Sequence, residues 1–306
     1  MTADDGLVVS RFAHFSALLF VFGVSFFPIY AFSKGESVAA FDMRSRFETG
    51  LLSASLVALA SGLCWLVFTA ASMADSVSEA LSPNTLMAVV EESGFGRVWA
   101  VHMGLVIALC VLTGLDDWGH DSSKILIAVL SGACLASLAG VGHTQEQEGI
   151  AFLVRVAADG AHLLAAGAWL GGLFALLALL RSRPLPGDRP RGEIGHVLIR
   201  FSGMGYGAVA ILLGTGLVNT WYLAPSLSEL VSSLYGQLLI IKLAVFALML
   251  LLAVLNRFWL VPAIAGPDAR KNLVRLRHHV MGEQLLGVLI IALVSVLGTL
   301  APSGDQ

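Results

Sequence analysis

The chain has 306 residues, 57% hydrophobic and only 13% charged, with a mean hydropathy of +0.83. A soluble globular domain of this length needs far more polar surface, so that class is excluded. The net charge of −3 is small and unevenly distributed, and nucleic acid is not an expected partner. The three cysteines (Cys64, Cys110, Cys134) all fall inside apolar runs, which rules out a disulfide scaffold and leaves the redox compartment open.

Long apolar runs recur along the whole chain, each near the ~20 residues that cross a bilayer. In chain order they cover roughly 7–31, 48–73, 96–115, 123–142, 151–180, 197–223, 236–260 and 283–301. Lipid offers no partner to an open backbone, so these must be helices, and the fold class is an all-α polytopic membrane protein of about eight transmembrane helices. The first run is longer than a signal-peptide core and no A-x-A site follows it, so it reads as a retained span. Between the second and third runs, Ser82-Pro83-Asn84 opens a short amphipathic helix over Thr85 to Glu92, at the membrane interface.

Basic residues set the orientation. Lys34, Arg44 and Arg46 follow the first run. Arg181, Arg183, Arg189, Arg191 and Arg200 follow the fifth, and Arg257, Arg270, Lys271, Arg275 and Arg277 the seventh. These alternate loops face the cytoplasm, which places both termini outside. The opposite loops carry Asp75, Glu79, Glu91, Glu92, Glu146, Glu148 and Glu229. One expected cytoplasmic loop, Asp116 to Asp121, is acidic. The rule counts basic residues, so the assignment stands.

The two halves, 1–142 and 143–306, resemble one another. His14 precedes Gly23 by nine residues, as His162 precedes Gly171. Arg46-Phe47, Ser61-Gly62-Leu63 and Ser72 recur as Arg200-Phe201, Thr215-Gly216-Leu217 and Ser226 at identical spacing. Phe95-Gly96 with His102 recurs as Tyr235-Gly236 with Lys242. Four helices per half preserve orientation, so the reading is of two parallel four-helix repeats about an axis along the membrane normal, with sites where the repeats meet. The fourth and eighth runs show no match.

Ionisable residues inside spans are costly and are functional candidates by default. With the termini outside, His14, His102, His143 and His162 all fall in the outer half of the membrane or at its edge. His120, His196, His278 and His279 fall in cytoplasmic loops. Four imidazoles converging from four helices suit copper, zinc or haem iron. Met103 beside His102, with Met73, Cys64 and Cys134, would add soft ligands favouring Cu(I) over Cu(II). The plain alternative for each histidine is a hydrogen-bonded packing residue.

The fifth run is the richest. Arg155, Asp159, His162 and Trp169 share one helical face. Asp159 is placed to pair with Arg155 and to hold one nitrogen of His162, leaving the other for a metal. A salt bridge that anchors the helix is the competing reading. Arg11 and His14 form a similar pair in the first run. Gly167-x-x-x-Gly171 and Gly203-x-x-x-Gly207 are packing features. Lys242 takes the place of His102 in the second half, where it could snorkel outward, repel a second metal or bind an anion. Asn219 and Trp221 would line the same cavity.

The segment Asp159-Gly160-Ala161-His162-Leu163-Leu164-Ala165-Ala166-Gly167-Ala168-Trp169-Leu170-Gly171-Gly172-Leu173 closely resembles the signature of the copper resistance D (CopD) family. Gly142-His143, Arg200-Phe201-Ser202, Thr215-Gly216, Asn219, Trp221, Tyr235-Gly236, Leu239, Lys242, Asn256-Arg257 and Pro262 support it. The resemblance is strong over the fourth to seventh runs and loose over the first three. It implies a multi-pass protein of a bacterial inner membrane, linked to copper tolerance or uptake. It also implies a periplasmic copper-binding CopC-like partner, expected here to be a separate chain because the first run starts at once.

The resulting expectation is a copper-handling, non-enzymatic membrane protein. Its metal ligands are His14, His102, His143 and His162, supported by Asp159, Arg155, Arg11, Met103, Trp169, Asn219 and Lys242. No G-x-x-x-x-G-K-[ST] motif is present, so it does not read as an ATP-driven pump. Two alternatives compete: a b-type haem protein with bis-imidazole ligation, and an adaptor that docks a copper chaperone without binding metal.

Overall fold

The computed structural model describes residues 2–32, 44–74, 77–115, 121–141, 149–181, 190–223, 231–264 and 266–300. Eight helices are long and apolar enough to cross a membrane: Ala3–Ala31, Phe47–Met73, Gly94–Leu115, Ser123–Gly140, Ile150–Arg181, Ile194–Trp221, Leu234–Ala263 and Ala269–Leu297. They are numbered here as spans one to eight. The described residues are helical throughout apart from short turns.

Span one opens on a reciprocal cap. Thr2 Oγ1 accepts from the Asp5 amide at 3.1 Å, and the Asp5 carboxylate accepts from the Thr2 amide at 3.0 Å. The short helix Pro83–Glu92 starts where Ser82-Pro83 directs it, with Ser82 Oγ accepting from the Thr85 amide at 3.1 Å. The eighth helix differs most from the sequence expectation. It begins at Ala269 rather than 283, because Arg270, Lys271, Arg275 and Arg277 form its opening turns instead of a loop. His278 and His279 lie on that helix, and His196 lies on Pro190–Leu223, so these three are helical rather than in loops.

Spans one to four close into a ring, each packed on the next and the fourth returning to the first. In the second half, spans five and six pack together, as do seven and eight, and eight returns to five. Spans six and seven barely touch. Span one also packs against spans five, six and eight, which makes it the central helix.

The crossing of spans one and five is very close. A Cβ on Gly23 would fall on the Gly171 backbone and the Gly167 carbonyl, and one on Gly171 would fall on the Leu19 carbonyl and Gly23. Small residues are what allow helices in lipid to approach like this. Span five contains a π-helical turn at Gly167–Gly171, at that crossing, and span seven another at Asn256–Leu260. With both termini at one end of the bundle, Arg11 Nη1 of span one donates to the Gly298 carbonyl just after span eight.

Candidate metal centre

Four helices of the first half bring two histidines face to face. His14 of span one and His102 of span three have no exposed surface, and their Nε2 atoms lie 2.8 Å apart. His14 Nδ1 lies 2.8 Å from the Ala58 carbonyl and 3.2 Å from Ser61 Oγ, both on span two. His102 Nδ1 lies 2.8 Å from Ser137 Oγ of span four.

The partners of His14 fix its tautomer. A carbonyl only accepts, and the Ser61 hydroxyl is already committed to the Val57 carbonyl at 2.6 Å, so His14 Nδ1 must be the donor. Ser137 Oγ, also 2.8 Å from the Cys134 carbonyl, can serve His102 Nδ1 as donor or as acceptor. Neutral His14 therefore aims a bare Nε2 lone pair at His102 Nε2. Facing it is either the N–H of His102 or, with His102 protonated at Nδ1, a second lone pair, which makes the pair a place for a proton or a metal ion.

Aromatic rings wall the pair in. The Trp99 ring lies 5.7 Å from His14 and stacks on His102 at 4.9 Å, while Trp65 meets His14 edge-on at 5.8 Å. Above them Arg11 stacks on Trp65 at 4.8 Å. Gly62 opens space beside the pair. A Cβ placed there would meet Met103 Sδ at 2.6 Å and His14 Cε1 at 3.2 Å, so thioether and imidazole converge on one spot.

The second half builds a related group with different chemistry. His162 Nδ1 of span five lies 2.8 Å from Thr215 Oγ1 of span six, whose hydroxyl donates to the Ile211 carbonyl at 2.6 Å. Asn219 Nδ2 donates to Asp159 at 2.6 Å. Lys242 of span seven interacts electrostatically with both Asp159 and His162, and Arg155 with Asp159. Lys242 is thus the charged neighbour of His162.

The structure therefore joins His14 to His102 and sets His162 in a separate group. Among the described residues, no three His, Cys, Asp or Glu side chains form a metal-sized cluster. His143 lies outside the described residues. His162 is held by Thr215, not by Asp159, whose partner is Asn219. Arg11 turns to Trp65 and Gly298, not to His14. Trp169 is buried against Phe246. Trp221, Met73 and Cys64 are exposed.

Sequence reasoning passed over Ser61, Thr215, Ser137, Trp65 and Trp99. The Ser61/Thr215 equivalence in the internal alignment was the available signal, since each sits opposite the histidine of its own half. Ser137 had none.

Comparison with known proteins identifies the family. Residues 1–153 match the family described as copper resistance protein D-like, N-terminal domain, and residues 195–297 match copper resistance protein D. The chain is 30% identical over 307 aligned residues to copper resistance protein D of Pseudomonas syringae pv. tomato, covering 98% of each chain. It is 27% identical to inner membrane protein YebZ of Escherichia coli K12, over 96% of this chain and 98% of that one. It is 26% identical to the copper transport protein CutJ of Bacillus subtilis 168, over 83% of this chain and 46% of that longer one. No solved structure matches. The chain belongs to the copper resistance protein D family.

Proposed function

We propose that this is a copper-handling protein of a bacterial inner membrane, which takes up copper at the His14–His102 pair in the periplasmic half of the bilayer. The observation that carries the reading is the pair of buried Nε2 atoms 2.8 Å apart, each ring held through its other nitrogen. Metal-bound histidines are held in just this way. Copper is the cargo here, and two imidazoles with a neighbouring thioether suit Cu(I) best. A metal–imidazole bond is about 2 Å, so an ion between the rings needs them roughly 1 Å further apart, within reach of a small ring rotation. The names of the relatives support copper as the metal and the inner membrane as the location.

The distribution of Lys and Arg supports termini on the periplasmic side. With that orientation the pair faces a periplasmic donor, such as a separate CopC-like protein. His162, backed by Thr215 and opposed by Lys242, acts on the cargo's path rather than as a third ligand of the same ion. The contact of Gly23 with Gly171, residues in equivalent positions, supports two parallel repeats whose axis passes through that crossing. A bis-imidazole haem would need room for a porphyrin plane between the two rings, and the packing of Trp65 and Trp99 against them favours a bare ion.

The test is elemental analysis of detergent-purified protein loaded with Cu(I). His14→Ala and His102→Ala should each reduce bound copper by at least about tenfold, while His162→Ala retains most of it. Full occupancy in both of the first two variants would remove the pair as the site. A Soret band in the wild type would replace copper with haem.

A further inference from the structure

The strongest unassigned group lies on the other side of the bundle. Glu283 of span eight is 2% exposed, six residues inward from the last arginine of that helix, Arg277. Its carboxyl accepts from Asn256 Nδ2 at 2.5 Å, and the Trp169 indole lies close to the same carboxyl. Both partners come from π-helical turns, a feature that recurs at functional sites. The carboxyl lines a cavity of about 130 Å³ between spans five to eight, where spans six and seven fail to close.

Every charged or titratable neighbour can be named. Arg257 lines the cavity, but its Nε is directed to the Tyr206 hydroxyl at 3.4 Å. Arg181 of span five is turned to Met281 Sδ. His279, one helical turn from Glu283 with its Nδ1 buried and without a hydrogen-bond partner, and Arg277 lie on the same helix toward its basic end. Span one offers the Tyr30 hydroxyl, over Gly172 and Phe201, while its charged residues Asp4, Asp5 and Arg11 are all at the terminal end. Among the described residues no cation pairs with Glu283.

An ionised carboxylate buried without a counter-ion in lipid costs on the order of a few kcal/mol, so the neutral acid is favoured. Asn256 makes the same point independently. Its Oδ1 is buried and has no hydrogen-bond partner, while its Nδ2 donates to Glu283. Protonated Glu283 supplies the O–H that this acceptor lacks, and acid and amide can then exchange two hydrogen bonds.

We propose that Glu283 is a proton-exchange site of the C-terminal half, loading and unloading through the cavity between spans six and seven. The proton comes from water at the basic end of the bundle, binds a carboxylate oxygen, and returns by the same route or passes inward toward Trp169. The proposal does not depend on the copper reading, and either can fail alone.

The test is labelling of the full-length protein in lipid vesicles with dicyclohexylcarbodiimide, which reacts with protonated carboxyls at apolar sites. Mass spectrometry should find the label on Glu283. Above the carboxyl's titration point labelling should fall about tenfold per pH unit. The infrared band of the neutral acid should shift in heavy water within minutes, and disappear in Glu283→Gln. If that variant does not fold, the wild-type pH profile and isotope shift still decide the matter. No label at acidic pH, labelling independent of pH, or a band that does not exchange with deuterium would each overturn the proposal. The last two would leave Glu283 a packing hydrogen bond.

Discussion

A tight constraint at residue scale lies beside His14, where Gly62 leaves room for a thioether. An alanine there adds one methyl group, and the atom in its way is the flexible end of Met103, so the fold should lose less than about 1 kcal/mol. If Met103 assists in holding Cu(I), displacing its sulfur costs affinity without removing any ligand. Gly62→Ala should weaken Cu(I) binding on the order of tenfold in competition with a chromogenic chelator. Unchanged affinity would exclude Met103 from the site. The sequence made the histidines legible because imidazole inside an apolar run is conspicuous. It hid their supports, because serine and threonine in a membrane helix normally bond their own backbone carbonyls. Ser61, Ser137 and Thr215 do this as well as receive a histidine. Nothing in one helix announces which imidazole crosses to it.

At the scale of elements, span assignment by hydropathy placed all eight helices and erred on their ends. The error at span eight mattered. Opening the span at 283 put Glu283 at the water boundary, where a carboxylate is unremarkable. The helix in fact runs through fourteen earlier residues, basic ones among them, and carries Glu283 into the packed bundle. Lys and Arg at headgroup depth do not end a helix, and a composition window cannot see that. The small residues of span five were read correctly as packing devices, although not which helix they serve. Their partner is span one, and it meets them through backbone. Gly171→Ala should therefore destabilise the protein by about 1–3 kcal/mol or more, since the Leu19 carbonyl and Gly23 backbone cannot move aside as a side chain can. Gly203→Ala, where a Cβ would meet nothing within 4 Å, serves as the matched control. Thermal unfolding in detergent should separate the two variants. Equal midpoints would mean that the spans slide apart at no cost.

For the whole molecule, the issue is what two halves alike in sequence are for when, among the described residues, only the first sets two histidines face to face. His14 and His162 are each set against a hydroxyl of the next span, at 3.2 Å for Ser61 and 2.8 Å for Thr215. Across from His14 the first half places His102, and near His162 the second places Lys242. A fixed ammonium beside His162 repels a metal cation, and Asp159 with its Asn219 partner helps to hold that ammonium in place. On the function proposed above, the asymmetry amounts to one soft-metal site and one site that excludes metal.

That division of labour can be reversed by one substitution. If the halves are equivalent in space as well as in sequence, Lys242→His puts an imidazole opposite His162 and removes the opposing charge in the same step. The variant should bind a second Cu(I) per chain, and His162→Ala added to it should abolish the second ion while sparing the first. Combined with His14→Ala, Lys242→His should retain copper that His14→Ala alone has lost. A folded Lys242→His protein with the wild-type stoichiometry would show that the resemblance between the halves stops at helix packing. Metal selection in the second half would then depend on something other than the residue facing His162.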